Sequence, residues 1–233
     1  KTQTSDAFPW TEHSLDTVQY ADDVVEYFVQ KSAANGIDII RIFDCLNDLR
    51  NLQTAVSAAN KEKAHAQVAL SYTLGDAYTL EYWTDIAKRI EDMGADSICI
   101  KDMAGLLLPN KATELVTALK ETVKIPIDLH THYTSGVASM TYLKAVEAGV
   151  DIIDTAMSPF ALGTSQPATE VMVETFKDTP YDTGLIRSFS PRSLTTSVRS
   201  VTKLLTADCS IRRTLVLTSR LYCIRYRAVC SPT

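Results

Sequence analysis

Two hydrophobic patterns alternate along the middle of the chain. Short apolar runs alternate with longer segments in which apolar residues recur every three to four positions. The runs predict five strands, at residues 37–43, 66–72, 97–101, 127–132 and 151–155. The periodic segments predict helices at residues 22–34, 47–60, 79–93, 109–123, 137–148 and 167–177. Strands that alternate with helices at a spacing of about thirty residues predict parallel βαβ units and the α/β class.

Polar residues end or follow the predicted strands, one strand after another. They are Asp44, Ser71, Tyr72, Lys101, Asp102, His130, His132 and Thr155. A doubly wound sheet and a TIM barrel both alternate strands with helices, but contributions from every strand to one rim favour the barrel. A complete barrel needs roughly 250 residues, and the regular pattern runs only from Tyr20 to Leu185. We therefore expect a partial TIM (β/α)8 barrel.

Three of these residues predict a metal site. His130 and His132 are two apart on one strand, so their side chains point the same way and can bind one ion. The ammonium group of Lys101 has no lone pair, but its amine can react with carbon dioxide to give a carbamate, which is an anionic oxygen ligand. Singly, each residue is more often an ordinary rim residue, whereas all three together favour the metal site.

The overall composition predicts a globular protein with a substantial core. The chain has 233 residues, of which 45% are hydrophobic and 22% charged. No apolar run has the length of a membrane span, and residues 1–10 lack the apolar core of a signal peptide, which together predict a cytoplasmic protein. The five cysteines have no metal-ligand spacing, and their odd number argues against a disulfide framework.

Charge divides the chain into regions of different character. Residues 20–185 contain 13 Lys and Arg against 24 Asp and Glu, whereas residues 186–233 contain nine against one and no glycine. We expect the partial barrel at 20–185 and irregular segments at 1–19 and 186–233. A basic tail can bind nucleic acid, but these arginines are scattered without a helical stripe, so no nucleic-acid partner is predicted.

Four motifs carry a resemblance to a known family. They are IKDMAGLL at 100–107, HTHYTSG at 130–136, RIFD at 41–44 and GTSQP at 163–167. Together they resemble the carboxyltransferase domain of biotin-dependent enzymes, which include pyruvate carboxylase, its separate B subunit, the oxaloacetate decarboxylase alpha subunit and the transcarboxylase large subunit. The resemblance covers Tyr20 to about Leu185.

The resemblance implies an enzyme that moves a carboxyl group between oxaloacetate or pyruvate and biotin. The strands present would be the fourth to eighth of the barrel. His130 and His132 would bind a divalent metal (zinc, manganese or cobalt) with carbamylated Lys101, while Thr164 would contact biotin and pass a proton between biotin and pyruvate. From the residues alone, the favoured role of Thr164 is a helix N-cap before Pro167, and Asp44 either orients a metal-site residue or is a turn residue.

The resemblance also implies partners. These are a biotin carboxyl carrier domain, with either a biotin carboxylase or the subunits of a membrane decarboxylase, and further copies of the full-length chain in a homo-oligomer.

Two motifs of the family are missing from the chain. One carries an aspartate metal ligand on the first strand, and the other carries an arginine that binds the substrate carboxylate. Shifted reading of the codons permits family-like strings within residues 6–13, 208–212 and 226–233. We therefore expect 1–19 and 186–233 to be out of frame, and the 233-residue fragment itself to be inactive, because an incomplete barrel exposes sheet edges.

A second enzyme class remains open. Related metal-dependent barrels condense or cleave acyl-coenzyme A thioesters. Those relatives typically continue the second histidine as Asn-Asp, whereas this chain has Tyr133 and Thr134.

Overall fold

Strands and helices alternate through the computed structural model, which describes residues 4–6, 20–184 and 226–229. The strands are β1 (Thr4–Asp6), β2 (Ile39–Asp44), β3 (His65–Ser71), β4 (Ser97–Asp102), β5 (Ile127–Thr131), β6 (Ile152–Thr155) and β7 (Tyr226–Val229). The helices are α1 (Asp22–Ala34), α2 (Gln53–Lys61), α3 (Leu80–Asp92), α4 (Pro109–Thr122), α5 (Ala138–Glu147) and α6 (Thr169–Phe176). The chain divides into two compact units, one of residues 1–101 and 115–128 and the other of residues 102–114 and 129–233.

Four parallel strands organise the first unit. Strands β1, β2, β3 and β4 pair side by side in chain order. Ile39 lies opposite His65, and Ser71 at the end of β3 lies opposite Lys101 near the end of β4. Every residue of β2 and β4 is buried, which explains why their sequences read as continuous rather than alternating apolar runs.

Helix α3 shows how local sequence sets the helices of this unit. Thr79 is its N-cap and accepts a hydrogen bond from the main-chain N–H of Tyr82. Gly94 follows the helix with a φ of +94°, a left-handed conformation that glycine adopts without steric cost. The buried residues recur at helical spacing, at Trp83, Ile86, Ala87 and Ile90.

The second unit contains the end of β5 and the elements that follow it. Strand β6 pairs antiparallel with β7, with Ile152 opposite Val229. Just before α6, Ala156 and Ala168 form a single parallel bridge. Helix α5 buries one face, in which Tyr142 is completely shielded from solvent.

Two helices begin later than the sequence pattern predicts. Helix α2 begins at Gln53, not at residue 47, because one carboxylate oxygen of Asp44 accepts hydrogen bonds from the main-chain N–H groups of Leu46 and Asp48, both at 2.9 Å. Helix α6 begins at Thr169 with Ala168 as its N-cap residue. The alternative in which Thr164 caps this helix is therefore wrong.

The predicted irregular segments fall largely outside the described residues. Within 1–19 and 186–233 the structure describes only β1 and β7, so the boundaries of these segments stay predictions. Among the helices of the described residues, none combines the length and the apolar character that a bilayer span requires.

Candidate metal centre

His130 and His132 bring two ring nitrogens together at the end of β5. Their Nε2 atoms are 3.1 Å apart, and the two ring centroids are 5.0 Å apart. His130 is 2% exposed, whereas His132 is only half-buried, so one side of the pair is open to solvent. The structure therefore brings the two predicted histidine ligands together.

The other nitrogen of each ring is held by a hydrogen-bond acceptor. His130 Nδ1 donates to the Asp154 carboxylate at 2.8 Å, and His132 Nδ1 donates to the main-chain oxygen of Thr164 at 2.6 Å. Both acceptors have only lone pairs to offer, which assigns the ring proton to Nδ1 in each case. With Nδ1 donating in each ring, Nε2 is the nitrogen left for a metal, and the two Nε2 atoms face each other.

This donor arrangement fits a divalent metal. Two imidazole nitrogens bound to one tetrahedral zinc ion at about 2.0–2.1 Å lie about 3.3 Å from each other, close to the 3.1 Å between these Nε2 atoms. Histidines that bind metals usually donate their second ring N–H to a carboxylate or carbonyl, as both do here. Zinc, manganese and cobalt all accept imidazole nitrogen.

Gln166 also reaches this pair. Its amide nitrogen lies 3.3 Å from His130 Nε2, and the residue is 3% exposed. The amide donates to the same lone pair that a metal would use, so metal binding at His130 requires this amide to move aside.

Asp102 anchors the backbone of the histidine strand. Its carboxylate accepts from the main-chain N–H groups of Leu106 and Leu107, both at 2.9 Å, and from the hydroxyl of Thr131 at 2.7 Å. Its main-chain oxygen accepts from the N–H of His132 at 3.0 Å. Asp102 therefore fixes both the loop after β4 and the segment that carries the two histidines.

Gly105 makes the closest approach to this segment. It has a φ of +67°, and a Cβ atom added there would lie 2.7 Å from the main-chain oxygen of His132 and 2.8 Å from Thr134 Oγ1. Only a glycine fits without displacing the histidine backbone. Its presence in the 100–107 motif thus has a steric cause.

Lys101 is a buried residue of the first unit. It is 5% exposed, and its Nζ lies 4.8 Å from the centre of the Phe43 ring. Its main-chain oxygen accepts from the N–H of Tyr72 at 2.9 Å. The residue belongs to the first compact unit and the two histidines to the second.

Asp44 organises the loop that follows β2. Besides the two main-chain donors at Oδ2, its Oδ1 accepts from the amide of Asn51 at 3.1 Å. In the same loop, hydrogen bonds from the side chain and main chain of Arg50 lower the pKa of Asp48 to about 2. Of the two roles open for Asp44, the turn residue accounts for these contacts of its carboxylate.

A charged network inside the first unit was not predicted from the sequence. Arg41 donates to the carboxylate of Asp128 at 2.6 Å and to the side-chain oxygen of Gln67 at 2.6 Å. Gln67 in turn donates to Asp128 at 3.2 Å. All three residues are at most 4% exposed, so this ion pair lies in the core.

Three neighbours of the histidines were also missed. Asp154, Gln166 and Tyr142 contact the histidine segment from β6, from the loop after it and from α5. The acidic position at the end of the fifth predicted strand was the available signal for Asp154. Tyr142 fits the apolar stripe of its helix, so the pattern gave no signal that its hydroxyl had a partner.

Comparison with known proteins identifies the family of this chain. Residues 16–186 match the family described as HMGL-like. The chain belongs to the HMGL-like family. Within it, the chain is 57% identical over 166 residues to the pyruvate carboxylase B subunit of Methanocaldococcus jannaschii, covering 71% of this chain and 29% of that protein. It is 45% identical over 168 residues to the methylmalonyl-CoA carboxyltransferase 5S subunit of Propionibacterium freudenreichii, covering 71% of this chain and 33% of that protein.

The solved structures that resemble this chain include carboxyl transferase domains of pyruvate carboxylase. The carboxyl transferase domain of Rhizobium etli pyruvate carboxylase, solved with pyruvate and biocytin, matches with a TM-score of 0.75 and 38% identity, covering 83% of this chain and 33% of that one. The predicted resemblance to carboxyltransferase domains and the predicted fold class, an α/β partial barrel, are thereby confirmed. The chain spans about a third or less of the length of the curated relatives named above.

Proposed function

We propose that this chain is part of an enzyme that transfers a carboxyl group between oxaloacetate or pyruvate and biotin. The observation that carries the proposal is the pair of Nε2 atoms 3.1 Å apart, each ring held through its Nδ1. The relatives support the choice of reaction, because they are carboxylases and a carboxyltransferase, and one solved relative contains pyruvate and biocytin.

His130 and His132 are the proposed metal ligands, with Lys101 as a third ligand after carbamylation. The role of Lys101 rests on the family resemblance, on its burial and on its place near the end of β4. Zinc, manganese and cobalt suit this set of nitrogen and oxygen ligands. When bound, a divalent metal supplies Lewis acidity that stabilises negative charge developing on the oxygen of the keto acid.

The protein's own contribution begins with the orientation of the two rings. Asp154 fixes the tautomer of His130, and the main-chain oxygen of Thr164 does the same for His132. Asp44 contributes indirectly, since it holds the loop after β2 in place. Because the rings are already oriented, they need little reorganisation when a metal binds, although the amide of Gln166 must move aside.

Proton transfer is the proposed task of the Thr164 hydroxyl. Carboxylation of pyruvate by carboxybiotin removes a proton from the methyl carbon of pyruvate and leaves N1 of biotin needing one. A hydroxyl between the two groups can accept the first proton and donate its own. The side chain of Thr164 is exposed, while its main-chain oxygen is bound to His132.

The partners belong to the whole protein and follow from the same proposal. They are a biotin carboxyl carrier domain and either a biotin carboxylase or membrane decarboxylase subunits, with the full-length protein as a cytoplasmic homo-oligomer. The separate B subunit among the relatives supports an enzyme assembled from several chains.

We further propose that residues 1–19 and 186–233 are read out of frame. The support is their composition, since the last 48 residues contain nine basic residues, one acidic residue and no glycine. Resequencing of the source DNA tests this. An inserted or lost base near each junction is expected, and an uninterrupted frame through residues 186–233 would contradict the proposal.

The reaction is tested with the full-length protein, its reading frame verified. Oxaloacetate decarboxylation is measured with and without free biotin, and with and without a chelator. We expect biotin to raise the rate and the chelator to abolish it. A rate that depends on neither would rule out this function, and cleavage of an acyl-coenzyme A thioester would favour the second enzyme class.

The hydroxyl of Thr164 is tested separately in the same assay. Thr164→Ala should lower kcat by about 10²–10⁴-fold, the usual contribution of a positioned proton carrier, while Thr164→Ser retains most of the activity. Full activity of Thr164→Ala would limit this residue to the main-chain contact with His132.

A further inference from the structure

Thr131, between the two histidines, is held by two buried groups. Its side chain points away from the imidazoles, because side chains alternate along a strand, and its hydroxyl donates to Asp102 at 2.7 Å. Its main-chain N–H donates to the hydroxyl oxygen of Tyr142 at 3.1 Å. The histidine segment is thus supported by the residue between its two ligands.

The Tyr142 hydroxyl also contacts β6. It donates to the main-chain oxygen of Asp154 at 2.6 Å. A phenolic hydroxyl has one hydrogen to donate and lone pairs to accept, so it can satisfy both contacts at once. It therefore bridges a main-chain donor of β5 and a main-chain acceptor of β6.

The two main-chain groups that Tyr142 contacts belong to Thr131 and Asp154, and both residues position His130. Thr131 directly follows His130, and Asp154 is the residue whose carboxylate accepts from His130 Nδ1 at 2.8 Å. The Tyr142 hydroxyl on α5 therefore links the main-chain positions next to the His130 ring and the Asp154 carboxylate. Tyr142 is 0% exposed, so water does not compete for these contacts.

We propose that Tyr142 is a positioning residue for the metal centre, which fixes His130 against Asp154 through its hydroxyl. This inference rests on the proposed function for its metal, although the hydrogen-bond bridge itself does not. As a consequence, the Nδ1–H of His130 stays on the Asp154 carboxylate, and Nε2 stays directed at the proposed metal position.

The test is Tyr142→Phe in the full-length protein, its reading frame verified, which keeps the buried ring and removes only the bridging oxygen. Affinity for Zn²⁺ is measured by competition with a chromophoric chelator, beside the thermal midpoint. We expect about tenfold weaker binding, at the lower end of the effect of outer residues on metal sites. Affinity equal to that of the parent chain would overturn the proposal.

Thr141→Val is the matched control. Thr141 is the preceding residue of the same helix, is equally buried, and donates its hydroxyl to the main-chain oxygen of Leu107 at 2.8 Å. Its loss should lower the thermal midpoint comparably while leaving Zn²⁺ affinity near that of the parent chain. If both variants weaken Zn²⁺ binding equally, Tyr142 supports binding only through the general stability of the fold, and the positioning role is overturned.

A second readout separates this inference from the proposed function. In the metal-free chain, solvent exchange of the His130 Nδ1 proton is followed by ¹⁵N-resolved NMR. We expect this proton to be protected from exchange in the parent chain and less protected in Tyr142→Phe. That difference supports the bridge even if the parent chain binds no metal. Absence of metal binding would defeat the proposed function alone. Identical exchange in both chains would overturn the bridge.

An isosteric variant keeps the proposal testable if Tyr142→Phe does not fold. 4-Aminophenylalanine at position 142 retains a donor for Asp154 and is a poor acceptor for the N–H of Thr131. We expect weaker Zn²⁺ binding and faster Nδ1 proton exchange than in the parent chain. Parental values for both would overturn the proposal.

Discussion

The Nε2 atoms of His130 and His132 face each other across 3.1 Å while both Nδ1 atoms donate to fixed acceptors. Two ring nitrogens held this close are favoured by a shared proton or a cation between them, and a bound metal ion supplies that cation. The fold has therefore already brought the two proposed ligands together, and the amide nitrogen of Gln166 lies 3.3 Å from His130 Nε2.

Asp154→Ala should weaken metal binding by about 10–100-fold, because His130 loses the acceptor that fixes its tautomer. Asp154→Asn, which keeps a neutral acceptor, should lose less. Metal titration monitored by competition with a chelator checks both variants. Asp92→Asn, on the exposed side of α3, is the surface control, and parental affinity in Asp154→Ala would contradict this role.

Gly105→Ala should destabilise the chain more than an ordinary glycine substitution does. The added Cβ would lie 2.7 Å from the main-chain oxygen of His132, and the φ of +67° disfavours any side chain. Gly149→Ala is a matched control, with a φ of +96° and nothing within 4 Å of the added Cβ. We expect a loss of about 1–2 kcal/mol for Gly149→Ala and a further loss of about 1–3 kcal/mol for Gly105→Ala.

Urea unfolding measures both glycine variants. The crowding at Gly105 should also weaken metal binding, since the backbone that must move is that of His132. Equal unfolding free energies for the two variants would contradict the steric account.

Arg41→Met should destabilise the first unit by about 3–5 kcal/mol, because it leaves the buried carboxylate of Asp128 without its cation. The double variant Arg41→Met with Asp128→Leu should recover most of this loss, since two apolar side chains can replace a buried ion pair. Denaturant unfolding compares the two chains. A double variant as unstable as the single one would contradict this explanation.

The sequence predicts the three proposed ligands but not the groups that orient the histidines. Lys101, His130 and His132 stand at the ends of apolar runs, so their places near the ends of β4 and β5 follow from local pattern alone. Asp154 and Tyr142 matter only because β5, β6 and α5 meet in space, and no spacing along the chain encodes those contacts. Tyr142 lies on the buried face of α5 with Ala138, Ala145 and Val146, and that apolar pattern is silent about a main-chain bridge.

The predicted start of α2 was wrong for a related reason. The segment from residue 47 has helical spacing, but the Asp44 carboxylate binds the main-chain N–H groups of Leu46 and Asp48 and delays α2 until Gln53. Side-chain to main-chain bonds of this kind compete locally with helix formation. The five strands needed no such detail, because nearly all of their residues are buried and their apolar positions stand out in the sequence.

Metal affinity should depend on carbon dioxide if Lys101 becomes a carbamate. Bicarbonate added to the parent chain should tighten metal binding, whereas Lys101→Ala should bind more than about tenfold more weakly and show no response, since a ligand is lost. Titrations in degassed and bicarbonate-containing buffers make the comparison. Equal affinities of the parent chain in both buffers would remove the carbamate from the proposed centre.

Calorimetric titration of the full-length protein, its reading frame verified, with Zn²⁺, Mn²⁺ and Co²⁺ tests the proposed metal centre. We expect one ion per chain for at least one of these metals, with binding abolished in both His130→Ala and His132→Ala. His65→Ala is the control, because the Nε2 of His65 contacts the Ser97 hydroxyl at 2.7 Å instead of another histidine. Unchanged binding in the two ligand variants, or no binding of any of these metals by the parent chain, would contradict the account.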